Sequence, residues 1–153
     1  MKRLEYEQGL RRHGRPTRGL TYGTDYVTGK TVVRQIVSNV TDDEDGLVYA
    51  TFDLEDWIEL QAVYGMSTFI CEFDRKTGEP KNLAAASKTI RKLRGSAKVD
   101  LARTVDGTPI EFSLKHINGD IFDCRRTNLR RVRRWSEATM RRRALAKGQD
   151  RAR

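Results

Sequence analysis

The sequence is short of the residues that staple small proteins. It has two cysteines, Cys71 and Cys124, and two histidines, His13 and His116. Cysteines so few and so far apart argue against a disulfide framework and lack the spacing of a zinc site. A reducing, intracellular location is expected. No apolar stretch approaches a membrane-spanning length, and the first residues lack the apolar run of a signal peptide, so no membrane attachment is expected. Apolar residues, at 37%, are fewer than usual, and charged residues, at 33%, are more numerous. Part of the chain should therefore be tail, although 153 residues suffice for one ordinary domain.

What is present is charge, and it is segregated. Residues 125–153 carry twelve basic and two acidic side chains, a net of +10. Residues 1–20 carry six basic and two acidic ones, a net of +4. The middle, 21–124, carries twelve basic and seventeen acidic ones, a net of −5. A mildly acidic body with basic ends suits gripping a polyanion, because phosphate contacts release counterions. The plainer alternative is a solvated basic tail.

The pattern of apolar residues gives a mixed α+β expectation. Residues 1–30 lack an apolar period and read as a basic arm; His13, within it, reads as a solvated side chain. Thr31 to Val37 reads as a strand, with Val32, Val33, Ile36 and Val37 suited to a half-buried pleated surface. Thr41 to Gly46 reads as an acidic connector. Leu47 to Phe52 reads as a strand. Asp53 should then cap a helix, with Asp56 as a capping-box-like partner; Leu54, Trp57, Ile58 and Tyr64 form its apolar face and Gly65 stops it. Ser67 to Phe73 reads as another strand and Arg75 to Gly78 as a turn. Asn82 is placed to cap a second helix, with Leu83, Ala86, Ile90 and Leu93 on one face and Gly95 at its end. Val99, Leu101 and Val105 alternate, as do Ile110, Phe112 and Leu114, and Asp106-Gly107 between them predicts a hairpin. The second strand delivers Lys115 and His116 to opposite faces. A turn-rich loop follows at Asn118-Gly119-Asp120. From about Arg134 the chain predicts a helix, capped by Ser136 and continued by Ala138 to Lys147.

The stretch from Leu114 to Arg130 resembles the HNH endonuclease family, and within it the phage and intron-encoded branch. His116, Ile117, Gly119, Asp120, Asp123, Arg125, Asn128, Leu129 and Arg130 carry the match. Asp53-Leu-Glu-Asp-Trp-Ile-Glu-Leu60 is similar to the leader that precedes the motif in many phage members. The resemblance covers roughly residues 47–137, with a specific core of about sixteen residues. It implies a small α+β domain, 31–137, ending in a ββα-metal-finger-like hairpin, loop and helix. A basic arm (1–30) and a basic helical tail (138–153) flank it.

The family's chemistry is phosphodiester hydrolysis assisted by one divalent cation, Mg²⁺ or Mn²⁺. The resemblance implies that His116 is the general base and Asn128 the loop residue that positions it. The sequence departs from the family at the metal. Lys115 stands where an aspartate ligand is usual, and an ammonium repels a cation. The second ligand, usually Asn or His, falls near Glu137, which is a metal ligand in principle. Cys124, where Asn is usual, reads as a small buried filler.

The arginines Arg125, Arg126, Arg130, Arg131, Arg133, Arg134, Arg141, Arg142 and Arg143 are candidates for phosphate contacts. Trp135 reads as a core residue or, alternatively, as a stacking platform. The favoured expectation is a phage-encoded, double-stranded DNA-binding protein in the cytoplasm of a bacterial host, its nuclease activity reduced or lost. The first alternative is an active metal-dependent endonuclease. The second is a phage interaction protein that docks on a host or phage complex.

Overall fold

A computed structural model describes residues 2–3, 20–41 and 46–151. It shows a small α+β domain. Three strands form the first sheet in the order β2 (Thr21–Thr24), β3 (Thr31–Ile36) and β5 (Tyr49–Asp53), all antiparallel. In β3, Val33 and Gln35 are buried on one face, while the other face has Val32 buried and Arg34 exposed. A short pair joins β1 (Lys2–Arg3) to β4 (Val40–Thr41). Residues 20–30 were expected in the arm; instead β2 is an edge strand of this sheet. His13 and residues 42–45 of the acidic connector lie outside the described residues.

α1 (Leu54–Tyr64) follows β5 directly and ends at Gly65, as expected. Its start differs from expectation. Asp53 occupies the N-cap position but its carboxylate makes no cap bond, and Asp56 is turned inward. Both acids serve a distant loop, described below. Of the expected apolar face, Tyr64 is buried and Trp57 packs against the core, whereas Ile58 is exposed and Leu60 is buried in its stead.

The second sheet has the order β6 (Thr68–Phe73), β7 (Pro80–Ala86) and β8 (Lys98–Asp100), again antiparallel. Here the Asn82-capped helix is corrected. Leu83, Ala84 and Ala85 are all buried, because β7 is the central strand and covered on both faces. The helix begins later, as α2 (Lys88–Arg94). Ser87 caps it, its Oγ accepting the Ile90 N–H at 3.0 Å.

The predicted strand from Val99 to Val105 is also corrected. β8 is short, and α3 (Leu101–Asp106) starts where Asp100 Oδ1 accepts the Arg103 N–H at 3.1 Å. Leu101, Ala102 and Val105 are buried, a helical spacing that mimics alternation. Gly107 is therefore not a hairpin turn. Its left-handed φ of 66° closes α3, and its N–H bonds to the Arg103 carbonyl.

The actual hairpin is longer. β9 (Phe112–His116) pairs antiparallel with β10 (Leu129–Arg133) across the loop 117–128. α4 (Glu137–Arg151) follows, with Ser136 Oγ accepting the Thr139 N–H as the expected cap. The core gathers Phe52, Phe69, Ile90, Leu101, Tyr64 and Leu83 with Phe122 and Cys124 from the loop. The Phe52 and Phe69 rings lie 5.3 Å apart, and Val37 bridges to Phe69 between the two sheets. Among the described residues no helix is long and apolar enough to cross a membrane.

Candidate nucleic-acid interface

The loop 117–128 is built by short polar side chains acting on its own backbone. Gly119, at φ 76°, turns the chain so that its N–H reaches the His116 carbonyl at 3.0 Å. Asn118 Oδ1 accepts the Asp120 N–H, and Asp120 Oδ1 accepts the Phe122 N–H, both at 2.9 Å. These local bonds are why such residues favour turns over ladders. The loop then docks on the free edge of β5. Cys124 N–H donates to the Thr51 carbonyl and Thr51 N–H to the Phe122 carbonyl, each at 2.8 Å. Cys124 is fully buried, and burial pushes its thiol pKa up, so it is a filler as expected.

Asn128 is the hub of the loop. Its Nδ2 donates to Asn118 Oδ1 and to the Asp123 carbonyl, both at 2.9 Å, and its Oδ1 accepts the Asn118 N–H at 3.0 Å. His116 Nδ1 lies 3.2 Å from the same Asp123 carbonyl. The two motif residues thus meet at one carbonyl oxygen, and Asn128 acts on His116 through it. A carbonyl only accepts, so Nδ1 is the donor in this contact, and in the neutral ring Nε2 keeps the lone pair.

The arginines divide into two sets. Arg125 and Arg126, expected at phosphates, are paired with acidic side chains of the domain, Arg125 half-buried and Arg126 still exposed. Arg125 grips both oxygens of Asp123, at 2.9 and 2.7 Å, and reaches Asp25 Oδ2 at 2.9 Å. Hydrogen bonding to Asp123 raises the Arg125 pKa above its usual value. Burial works against the charge on Asp123, but the bonds and charge of Arg125 outweigh it and hold that carboxyl below the ordinary range. At Asp25, bonds from backbone amides, chiefly Val27, lower the carboxyl pKa, and Arg125 adds to the effect.

Arg126 makes a forked contact with buried Asp56, with bonds of 2.8 to 3.0 Å, and its backbone N–H donates to Asp53 Oδ2 at 3.2 Å. The hydrogen bond to Asp56 leads the upward shift of its pKa. The acids at the start of α1, Asp53 and Asp56, are therefore a clamp on the motif loop. Sequence reasoning read them as a helix cap. Arg131 is held by Asp106 at 2.7 Å and Arg133 by Glu137 at 3.2 Å.

The second set faces water. Lys115 and Arg130 sit directly opposite each other across the ribbon, and both are exposed. Strand alternation puts Arg134 on their side, and His116, Leu114 and Leu129 on the other. Arg141 and Arg142 are exposed on α4. Arg143 stacks 3.7 Å from the centre of the half-buried Trp135 ring. Lys115, Arg130, Arg134, Arg141 and Arg142 make no ion pair among the described residues.

The donor set does not fit a divalent cation. Among the described residues no three His, Cys, Asp or Glu side chains gather in a group fit to hold one. Glu137 is ion-paired to Arg133, and both Asp123 oxygens are taken by Arg125, Oδ2 also accepting from Asn118. Compared with known proteins, the chain matches no family model, no curated protein and no solved structure.

Proposed function

We propose that the chain is a double-stranded DNA-binding protein whose HNH-like loop serves as scaffold and whose nuclease activity is reduced or lost. The observation that carries this reading is the unpaired cation face of Lys115, Arg130 and Arg134. Like charges placed directly opposite on a ribbon destabilise it. A phosphate lying between them removes that cost and gains charge-assisted hydrogen bonds. Arg141 and Arg142 on α4 extend the cationic surface. Such contacts position a duplex without reading its sequence. The order β9, loop, β10, α4 is the order a ββα finger would have, and we read this segment as one that has lost its metal. Its resemblance to the phage branch makes a phage-encoded protein in the cytoplasm of a bacterial host the matching setting.

One observation favours a second reading, a working endonuclease. His116 offers Nε2 as a base while its Nδ1 is held by a carbonyl. A labelled duplex titrated at low salt tests binding, with Lys115→Ala/Arg130→Ala expected to weaken it. Incubation of supercoiled plasmid with Mg²⁺ or Mn²⁺ tests cutting. Nicking that disappears in His116→Ala would establish the second reading over the first.

A further inference from the structure

The turn between β2 and β3 presents two large apolar side chains almost wholly to water: Tyr26 is 98% exposed and Val27 94%. The turn that carries them is stiff. Asp25 Oδ1 accepts the Val27 N–H at 2.9 Å and the Thr28 N–H at 3.3 Å. The Gly29 N–H returns to the Asp25 carbonyl at 2.7 Å, and the Asp25 N–H bonds to the Lys30 carbonyl at 2.8 Å. Gly29, at φ 70°, supplies the left-handed residue this closure needs. The turn is also anchored, since Asp25 Oδ2 bonds Arg125 on the loop that leads into β10 and Arg130.

A rigid aromatic tip, tied through Asp25 and Arg125 to the loop that leads into the cationic ribbon, is suited to entering a base stack. The ring loses little freedom on binding, and every base offers a face for it. We propose that Tyr26, backed by Val27, stacks on nucleobases at an unstacked or unpaired step of the bound nucleic acid. The ligand at this tip is the face of an exposed base. The inference rests on the nucleic-acid reading above, and names the form of nucleic acid that the protein prefers.

The test compares two duplexes of equal length, one fully paired and one with a central unpaired nucleotide. Wild type should bind the second roughly tenfold more tightly, the scale of one stacked base. Tyr26→Ala should lose that preference yet keep its affinity for the paired duplex, whereas Tyr26→Phe should keep both. Unfolding temperatures equal to wild type confirm that the exposed substitution leaves the fold intact. Equal preference in Tyr26→Ala and wild type overturns the stacking site and leaves nucleic-acid binding standing. Loss of preference in Tyr26→Phe overturns stacking in favour of a hydroxyl contact. If wild type binds neither duplex at low salt, the underlying reading fails first, and a protein partner for the tip becomes the surviving explanation.

Discussion

Replacing Asn128 with alanine removes three hydrogen bonds at once, two donated to Asn118 Oδ1 and the Asp123 carbonyl and one accepted from the Asn118 N–H. Asn128 is only 6% exposed, so water does not readily replace the lost side chain. Each bond contributes about 1 kcal/mol net, which gives a loss of about 3 kcal/mol. The Asp123 carbonyl keeps its contact with His116 Nδ1, and Asn118 is exposed enough to meet water, so no orphaned group adds to that sum. A loss of this size is a large share of the roughly 5–15 kcal/mol that holds a domain together. Asn128→Asp keeps the acceptor but buries a carboxylate whose second oxygen faces Asn118 Oδ1 and the Asp123 carbonyl, so it should cost at least as much as alanine. Urea unfolding followed by tryptophan fluorescence measures both, with the midpoint shifted and the slope unchanged. A loss below about 1 kcal/mol for Asn128→Ala would refute the hub role, because one ordinary bond would then account for it.

Other outcomes follow from the same contacts. Arg126→Ala takes the charged partner from the Asp56 carboxylate and should cost about 2 kcal/mol in the same unfolding assay, because the half-exposed arginine leaves a path for water. Lys115→Ala should lie within about 0.5 kcal/mol of wild type, or stabilise slightly by relieving Arg130; equal effects of the two would undo the sorting of cations. Phe52→Ala empties a fully buried site and should cost about 3–5 kcal/mol. Asp25 and Asp123 have folded pKa values below their unfolded ones, so their stabilisation is full above about pH 4 and fades as pH falls further. Thermal unfolding of Asp25→Asn should therefore fall less steeply with acid than wild type, and identical slopes would contradict the linkage. Cys124 should stay unreactive toward a thiol reagent in the native protein and react on unfolding.

Much of the framework was legible because local pattern and burial agree there. β3, β5 and β6, α1 with its Gly65 stop and the Ser136 cap of α4 all fall close to where periodicity and caps put them. The failures share a physical cause. Leu83 to Ala86 is a short apolar run, and such a run does not tell a central strand from a buried helix. Asp106-Gly107 looks like a hairpin turn, but a glycine in the left-handed region closes a helix equally well. At the candidate site, His116 and Asn128 were singled out by the family resemblance, and both meet the Asp123 carbonyl, whereas the pairing of the arginines was not legible. Arg125 pairs with nearby Asp123 but also with Asp25, and Arg126 pairs with Asp56, partners 100 and 70 residues away in sequence. A cation's pairing is a property of the fold, so a run of arginines does not reveal which of them hold an acidic partner.

The salt dependence of duplex affinity tests the central claim most directly. Wild type should bind with a steep inverse dependence on salt. The Lys115→Ala/Arg130→Ala/Arg134→Ala variant, with its fold unchanged, should bind more weakly and lose roughly one unit of slope per removed phosphate contact. An unchanged slope in that variant, or no duplex binding by wild type at low salt, would contradict the cationic ribbon as the nucleic-acid grip.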